Sequence, residues 1–205
     1  AADHHFGHRN MLEYENRPFA DTAELRRALI ERHNATVPAR GATVIFLGDY
    51  LWGERDDEDE LRKITRQLHG DTKILLLGNH DRFPPERYER AFDRVVPKAA
   101  PFSVRRCGRE IGCVHSPMTI YSRIVPDADD LPSGYDMIRV VLEIDAPHIG
   151  GEWLCGHVHG VFRKLGPVVN VGVDVWDYRP AAIDEILATL DDPTVAIPGP
   201  KGFGA

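Results

Sequence analysis

Short apolar runs recur along the chain and predict strands. The runs 42–47 and 73–77 contain a single polar residue each and end at a glycine. Runs of this length and composition are typical of strands covered on both faces. A glycine-containing turn at 107–109 joins two further stretches and predicts a pair of strands. The predicted strands are 42–47, 73–77, 102–106, 110–115, 153–155 and 168–175.

Between these runs, apolar residues recur every three or four positions, which predicts helices. Asp21 or Thr22 is a suitable N-cap for the first helix. Acidic residues at 56–60 favour the start of the second helix, and Pro84 with Pro85 favours the start of the third. The predicted helices cover about 22–34, 56–68, 85–95 and 182–190.

Strands alternate with helices in the first half of the chain and then dominate the second half. This order predicts an α/β domain in which two sheets pack face to face with helices outside. A chain of 205 residues is long enough for one sizeable core. We therefore expect one domain over 1–192 and a Pro/Gly-rich tail over 193–205.

Composition places the chain among soluble globular proteins, with 42% hydrophobic and 28% charged residues. No apolar stretch is long enough to span a membrane, so we expect no membrane partner. The net charge of −7 argues against a protein that coats nucleic acid. Three cysteines without metal-finger spacing make no disulfide framework, and we expect a cytoplasmic protein.

One segment departs from the acidic average. Eight Arg or Lys residues lie between Arg82 and Arg109. They have two interpretations: a solvated helix face with pairs such as Glu86 and Arg90, or a face that binds an anionic substrate such as nucleic acid.

Five short segments each place a metal-competent side chain beside a glycine or at the end of an apolar run. They are Asp3-His4-His5, Gly48-Asp49, Gly78-Asn79-His80-Asp81, Val114-His115-Ser116 and Gly156-His157-Val158-His159. Four of them follow a predicted strand, and loops beyond strand C-termini are where ligands gather in α/β folds. Imidazole with carboxylate favours Mn²⁺, Fe or Zn²⁺. Two such ions can activate a water molecule and clamp a phosphoryl group.

In this order the five segments resemble the motifs of the calcineurin-like metallophosphoesterases, namely D-x-H, GD, GNH(D/E), H and GHxH. The resemblance implies a four-layer α/β/β/α sandwich with two mixed sheets and a dimetal site at its edge. The implied metal ligands are Asp3, His5 and His159 for one ion, Asn79, His115 and His157 for the other, and Asp49 as the bridge. His80 would be the catalytic histidine, and Asp81 a structural residue.

The runs FGHRN (6–10) and NVGVDVWDYRP (170–180) are similar to the small prokaryotic branch of the family. His8, Asn10 and Arg17 are candidates for substrate contacts, with local loop hydrogen bonds as the equal alternative.

Two features depart from the family. Trp52 stands where protein phosphatases have a second Asp that supports the catalytic His. Only two residues precede Asp3, so we expect either a trimmed N-terminus or a vacant first sheet position.

The resemblance implies a dimetal-dependent phosphoester hydrolase, most consistent with Mn²⁺ (Fe or Zn²⁺ as alternatives), in which a metal-bridging hydroxide is the nucleophile. Our first choice is a phosphodiesterase that acts on a small nucleotide-like substrate. The alternatives are a phosphomonoesterase, a nuclease or nucleic acid end-processing enzyme, and a non-catalytic scaffold of the same fold. The segment 118–151 is the candidate for setting selectivity as a loop over the site, with a solvent loop that makes no contact with the substrate as the alternative. The sequence does not predict the oligomeric state.

Overall fold

The computed structural model describes residues 1–52, 58–98, 100–117 and 151–193. Its helices are α1 (Met11–Tyr14), α2 (Thr22–Thr36), α3 (Glu58–Gln67), α4 (Pro85–Tyr88) and α5 (Ile183–Asp191), with a 3₁₀ turn at Val173–Val175. Its strands are β1 (Thr43–Phe46), β2 (Thr72–Leu76), β3 (Arg94–Val96), β4 (Ser103–Arg106), β5 (Arg109–Cys113), β6 (Glu152–Cys155), β7 (Lys164–Leu165) and β8 (Val168–Asn170).

The described strands form two sheets. One has the order β1-β2-β3 and is parallel throughout. The other has the order β4-β5-β6-β8-β7, in which the inner pairs are parallel and the two outer pairs antiparallel. The carboxyl ends of β1, β2, β5 and β6 therefore deliver their loops to a common edge of the fold.

The N-terminal residues lie between the two sheets. The Leu47 N–H donates to the Ala1 carbonyl at 2.8 Å, and the Val173 N–H donates to the Ala2 carbonyl at 3.0 Å. The Asp3 N–H in turn donates to the Gly48 carbonyl at 3.1 Å. The first sheet position is thus filled by residues 1–3, which anchors Asp3 on both sides.

Side chains of β1 and β2 alternate between two cores because successive residues of a strand point to opposite faces. Phe46 and Leu75 pack with Leu25 and Leu29 of α2 and with Ile64 of α3. The opposite face packs against the second sheet and α5, through Leu47, Leu76, Ile111, Val169 and Ile186. The result is the predicted arrangement of helices, two facing sheets and helix, which confirms the α/β sandwich.

Two predicted elements are wrong in extent. The third helix ends at Tyr88, and residues 94–96 pair with β2 as a parallel strand. β-branched Val95 and Val96 complete the sheet edge there, so tertiary pairing overrides helical spacing. The predicted strand 168–175 stops at Asn170 and continues as the 3₁₀ turn. Strand β7 was not predicted.

The expectation for a selectivity loop falls on 118–150, outside the described residues. The expected tail beyond residue 193 also lies outside them. Among the helices that the structure describes, none is long and apolar enough to cross a membrane.

Candidate metal centre

The predicted ligands converge because their loops approach one another closely at the sheet edge. Gly48 has a φ of +87°, and a Cβ there would lie 2.5 Å from Nδ1 of His115. A Cβ at Gly78 would lie 2.2 Å from Oδ1 of Asp49. Only glycine fits at these two positions, so the glycines of the motifs serve the contact between loops as well as the turn.

The first ligand group consists of Asp3, His5 and His159, whose ligand atoms lie within 4.8 Å of one another. All three side chains are buried. The rings of His5 and His159 stack with their centroids 5.1 Å apart. Neither ring nitrogen of His5 has a hydrogen-bond partner, although both are buried. Buried polar atoms normally have a partner, and a metal ion would supply one here.

The second ligand group consists of Asp49, His115 and His157, whose ligand atoms also lie within 4.8 Å of one another. Asn79 lies between the two imidazoles. Its Oδ1 is 2.8 Å from Nε2 of His115 and 3.0 Å from Nδ1 of His157. The three side chains that the resemblance assigned to the second ion are therefore brought together.

Asp49 lies between the two groups. Its Oδ2 is 3.5 Å from Nε2 of His5 and 3.3 Å from Nε2 of His115. This oxygen is buried without a hydrogen bond, whereas Oδ1 accepts the His80 N–H at 2.8 Å. A carboxylate oxygen that faces imidazoles of both groups is suited to bridge two ions. The orphaned atoms of Asp49 and His5 show that the donor set fits a dinuclear centre.

The backbone of the ligands is strained. Five of the seven predicted ligands have positive φ values, between 44° and 71°: Asp3, His5, Asp49, His157 and His159. Only four other non-glycine residues in the described part of the chain share this property. Such residues cost roughly 1–2 kcal/mol each and concentrate at functional sites.

Burial and neighbouring charges set the protonation of the second group. Burial alone would raise the pKa of Asp49, but the imidazole of His115 outweighs it and holds that pKa well below its usual range. Burial likewise opposes the shift at His115, where the Asp49 and Asp3 carboxylates raise the pKa to about 9. Burial and then the neighbouring His115 lower the pKa of His157 to about 4.

His80 is half-buried beside the two groups, with its ring 5.4 Å from that of His5 and 5.1 Å from that of Trp52. Its buried Nδ1 has no hydrogen-bond partner. Trp52, at the position where the phosphatases carry an Asp, thus contacts His80 as an aromatic ring. Arg82 lies over the same indole at 5.2 Å.

Asp81 is a member of neither ligand group. Its carboxylate accepts the backbone N–H groups of Asp49 and Gly78 at 2.8 Å and of Tyr50 at 3.1 Å. It therefore ties the GD loop to the GNH loop, in agreement with the structural role expected for it.

The three candidates for substrate contacts lie in different settings. Asn10 is exposed, and its Nδ2 lies 3.4 Å from the Tyr14 hydroxyl. His8 is buried, with its ring 3.8 Å from the Trp52 ring and 5.6 Å from the His5 ring. Arg17 has a side chain that is 0% exposed. Its guanidinium donates hydrogen bonds to the Asp174 carboxylate and to the carbonyls of Asp3 and His4.

Two residues of the run 170–180 support the site and were missed as functional residues. The Asn170 Nδ2 donates to the His159 carbonyl at 2.7 Å. The Asp174 Oδ2 lies 3.0 Å from Nδ1 of His159. The run 170–180 is similar to one branch of the family, but nothing in its sequence pattern indicates that Asp174 lies next to His159.

The fold brings together two groups of side chains, each with the composition of a metal-binding site. A family model described as calcineurin-like phosphoesterase matches residues 1–161, well over half of the chain. The chain therefore belongs to the calcineurin-like phosphoesterase family. Family membership and the ligand groups support metal-dependent hydrolysis of a phosphoester and imply two divalent ions.

One relative and two solved structures are similar to this chain over most of its length. The chain is 25% identical over 192 residues to the uncharacterized protein MJ1445 of Methanocaldococcus jannaschii, covering 93% of this chain and 89% of that protein. It resembles the crystal structure of the protein of unknown function AQ665 from Aquifex aeolicus, with a TM-score of 0.64, 25% identity and coverage of 92% and 96%. Pseudomonas putida nuclease MPE is 19% identical with a TM-score of 0.38 over 82% of this chain and 64% of that one, too low to support any argument.

Proposed function

We propose that the protein is a phosphodiesterase that hydrolyses a small nucleotide-like substrate with the help of two divalent ions. The observation that carries the proposal is the orphaned Oδ2 of Asp49, placed between two groups of metal-competent side chains. The ligand assignment is that of the family motifs: Asp3, His5 and His159 on one side, Asn79, His115 and His157 on the other, and Asp49 between them.

When bound, the two ions supply Lewis acidity that activates water and offsets the charge of the phosphoryl oxygens. The orientation of the Asp49 carboxylate is fixed, because its other oxygen accepts the His80 N–H at 2.8 Å. His80 presents its ring at the edge of the centre, where it can protonate a leaving oxygen. A donor set of imidazoles, carboxylates and one amide supports Mn²⁺ over Mg²⁺.

The surroundings of His80 support a substrate with an aromatic group and more than one negative charge. Among the described residues, the exposed large hydrophobic side chains are Tyr14, Trp52 and Val161. Tyr14 and Trp52 both contact the His8 ring, so they lie on the same side of the centre. Arg82 is exposed over Trp52, and a nucleobase has the flat face that such a surface accepts.

The basic segment gives limited support for the alternative of a nuclease. Its later arginines pair with acidic side chains: Arg105 with Glu110, Arg106 with Asp184, and Arg109 with Glu152 and Asp191. Two of its cations lie at the metal centre instead. These are Arg82 and Lys98, whose Nζ is 3.4 Å from the Asn79 carbonyl. Two cations suit a short substrate better than a long polyanion.

A cytoplasmic location fits the three cysteines, all of which are unpaired. The complete set of motif residues, His80 included, favours an enzyme over a scaffold of the same fold.

The test is turnover of bis-p-nitrophenyl phosphate and of p-nitrophenyl phosphate by chelated protein that has been resupplied with Mn²⁺. We expect metal-dependent cleavage with the diester preferred. A preference for the monoester would favour the phosphomonoesterase alternative. Turnover that falls steeply with salt on oligonucleotides but not on small esters would favour the nuclease.

Two variants test the assignment of roles. Asp49→Ala removes a ligand from both ions, so it should abolish turnover and lower the metal content. His80→Ala should lower turnover of a diester with an alkyl leaving group about 10²- to 10⁴-fold, the usual contribution of general acid–base catalysis, and keep the metal content. Asp71→Ala removes a carboxylate that accepts the exposed Gly41 N–H, and as the matched control it should change neither. Full activity in Asp49→Ala would refute the dinuclear centre.

A further inference from the structure

Behind the first ligand group, the structure contains a buried ion pair between Arg17 and Asp174. The Arg17 Nε donates to Oδ1 of Asp174 at 2.8 Å, and its Nη2 donates to Oδ2 at 2.8 Å. The two side chains are 0% and 4% exposed. This is the parallel two-bond geometry in which arginine recognises a carboxylate most specifically.

Each member of the pair also contacts the first ligand group. The Arg17 Nη2 donates to the Asp3 carbonyl at 2.7 Å, and its Nη1 donates to the His4 carbonyl at 3.0 Å. The Asp174 Oδ2 lies 3.0 Å from Nδ1 of His159. Because Asp174 occupies this nitrogen, Nε2 of His159 is the one left to bind an ion. A carboxylate behind a histidine ligand fixes its ring orientation in this way.

The first ligand group needs such support. Asp3, His5 and His159 have φ values of 59°, 48° and 44°, so every member is in the left-handed region. Each such residue costs roughly 1–2 kcal/mol unless the surroundings hold it. The two carbonyls bound by Arg17 belong to Asp3 and to the residue after it, which lies between the two strained ligands. The guanidinium therefore holds the turn in which Asp3 and His5 are presented.

Fold stability alone is a weak reason for this arrangement. Burial of two charges costs several kcal/mol per ion before their attraction is counted, and well-packed apolar residues often serve as well. The pair ends in contacts with the carbonyls of Asp3 and His4 and with the imidazole of His159, so the positions of the ligands explain it better. The second ligand group has no contact of this kind with Arg17 or Asp174 among the described hydrogen bonds.

We propose that Arg17 and Asp174 form a positioning pair that fixes Asp3, His5 and His159 before an ion binds, and so sets the affinity for the ion of that group alone. Asp174 lies beyond the residues 1–161 that the family model matches. The inference rests on the dinuclear centre of the proposed function. It gives Arg17 a role behind the ligands in place of contact with the substrate.

The experiment is calorimetric titration of chelated protein with Mn²⁺, together with electron paramagnetic resonance of the loaded protein. The variants are Arg17→Lys, which keeps the charge but loses the two-bond geometry, and Asp174→Asn, which keeps the shape but loses the charge. The double variant tests whether the two residues act as one unit. Thermal unfolding of the metal-free proteins shows which variants are folded. Both substitutions are conservative, so we expect the variants to fold.

The matched control is the pair formed by Arg179 and Glu185, which is also joined by two hydrogen bonds, from Nη1 at 2.8 Å and from Nη2 at 2.7 Å, but is partly exposed. Arg179→Lys and Glu185→Gln should leave both affinities within about twofold, as expected of a pair near the surface.

We expect the unsubstituted protein to bind two ions and to give the spectrum of a coupled Mn²⁺ pair. In each variant one affinity should fall about 10- to 100-fold, the usual effect of removing a residue behind a ligand, while the other stays within about twofold. The loss of Mn²⁺ affinity in the double variant should be no greater than that in the more affected single variant. In each variant, the spectrum at one equivalent of Mn²⁺ should be that of an isolated ion.

Three results would overturn the inference. Unchanged affinity for both ions would show that the pair does not position the ligands. An equal loss of both affinities would show a general structural role. Absence of any bound ion in the unsubstituted protein would refute the dinuclear centre itself, and with it the proposed function.

Discussion

Trp52 offers a sharp test of how His80 is held in a protein that lacks the carboxylate of the phosphatases. The ring contacts described for the His80 imidazole are with His5 at 5.4 Å and Trp52 at 5.1 Å, and its Nδ1 has no hydrogen-bond partner. An aromatic pair contributes about 0.5–1.5 kcal/mol beyond the area it buries. Loss of the Trp52 contact should therefore lower the population of the productive His80 conformer about 2- to 10-fold.

We predict that Trp52→Leu lowers kcat by this factor, whereas Trp52→Phe retains a ring and loses less. The assay is hydrolysis of a diester with an alkyl leaving group, because protonation by His80 matters most when the leaving oxygen is strongly basic. With p-nitrophenolate as leaving group the loss should be smaller. The Mn²⁺ content should stay constant, since the ring contacts described for Trp52 are with His8, His80 and Arg82, which belong to neither ligand group.

The control is the same substitution in a protein that already carries His80→Ala. If Trp52 acts through His80, Trp52→Leu should cause no further loss of kcat in that background. An equal fold-loss in both backgrounds would refute the reasoning. The Trp52 ring is 36% exposed, so its contact with a substrate base would be measured separately as a rise in KM.

Two further predictions concern stability. Asp81→Ala leaves three N–H groups of the metal-binding loops without an acceptor, so it should lower the free energy of unfolding by about 3 kcal/mol or more. Urea unfolding measures this, and a loss no greater than that of Asp93→Ala, which removes one exposed acceptor, would contradict it. Burial lowers the pKa of His33 from 6.5 to about 4, so the unfolded chain binds the proton first as the pH falls through that window. Stability should therefore decline between pH 7.5 and 5.5 by on the order of 1 kcal/mol more than in His33→Gln, and equal slopes in the two proteins would rule this out.

Local patterns account for the parts of the structure that depend on short stretches of chain. The apolar runs at 42–47 and 73–77 predict β1 and β2 because burial on both faces requires unbroken hydrophobicity. The N-cap prediction at Asp21 holds, since its carboxylate accepts the Glu24 N–H at 2.8 Å. The helix predicted through Val95 fails because pairing with β2 involves residues about twenty positions away.

The sequence by itself indicated which side chains make up the two ligand groups. The predicted ligands are His, Asp and Asn residues, and most of them are next to a glycine. Their order along the chain identified the family before any geometry was known.

Only the tertiary structure decided how that centre is supported. Arg17 and Asp174 are 157 positions apart in the chain, and their pairing follows from the way the N-terminal segment lies between the sheets. Trp52 meets His80 for a similar reason, through loops that follow neighbouring strands. A side chain that orients a metal-binding residue through a hydrogen bond needs no particular neighbours in sequence. Its role therefore follows from tertiary packing alone.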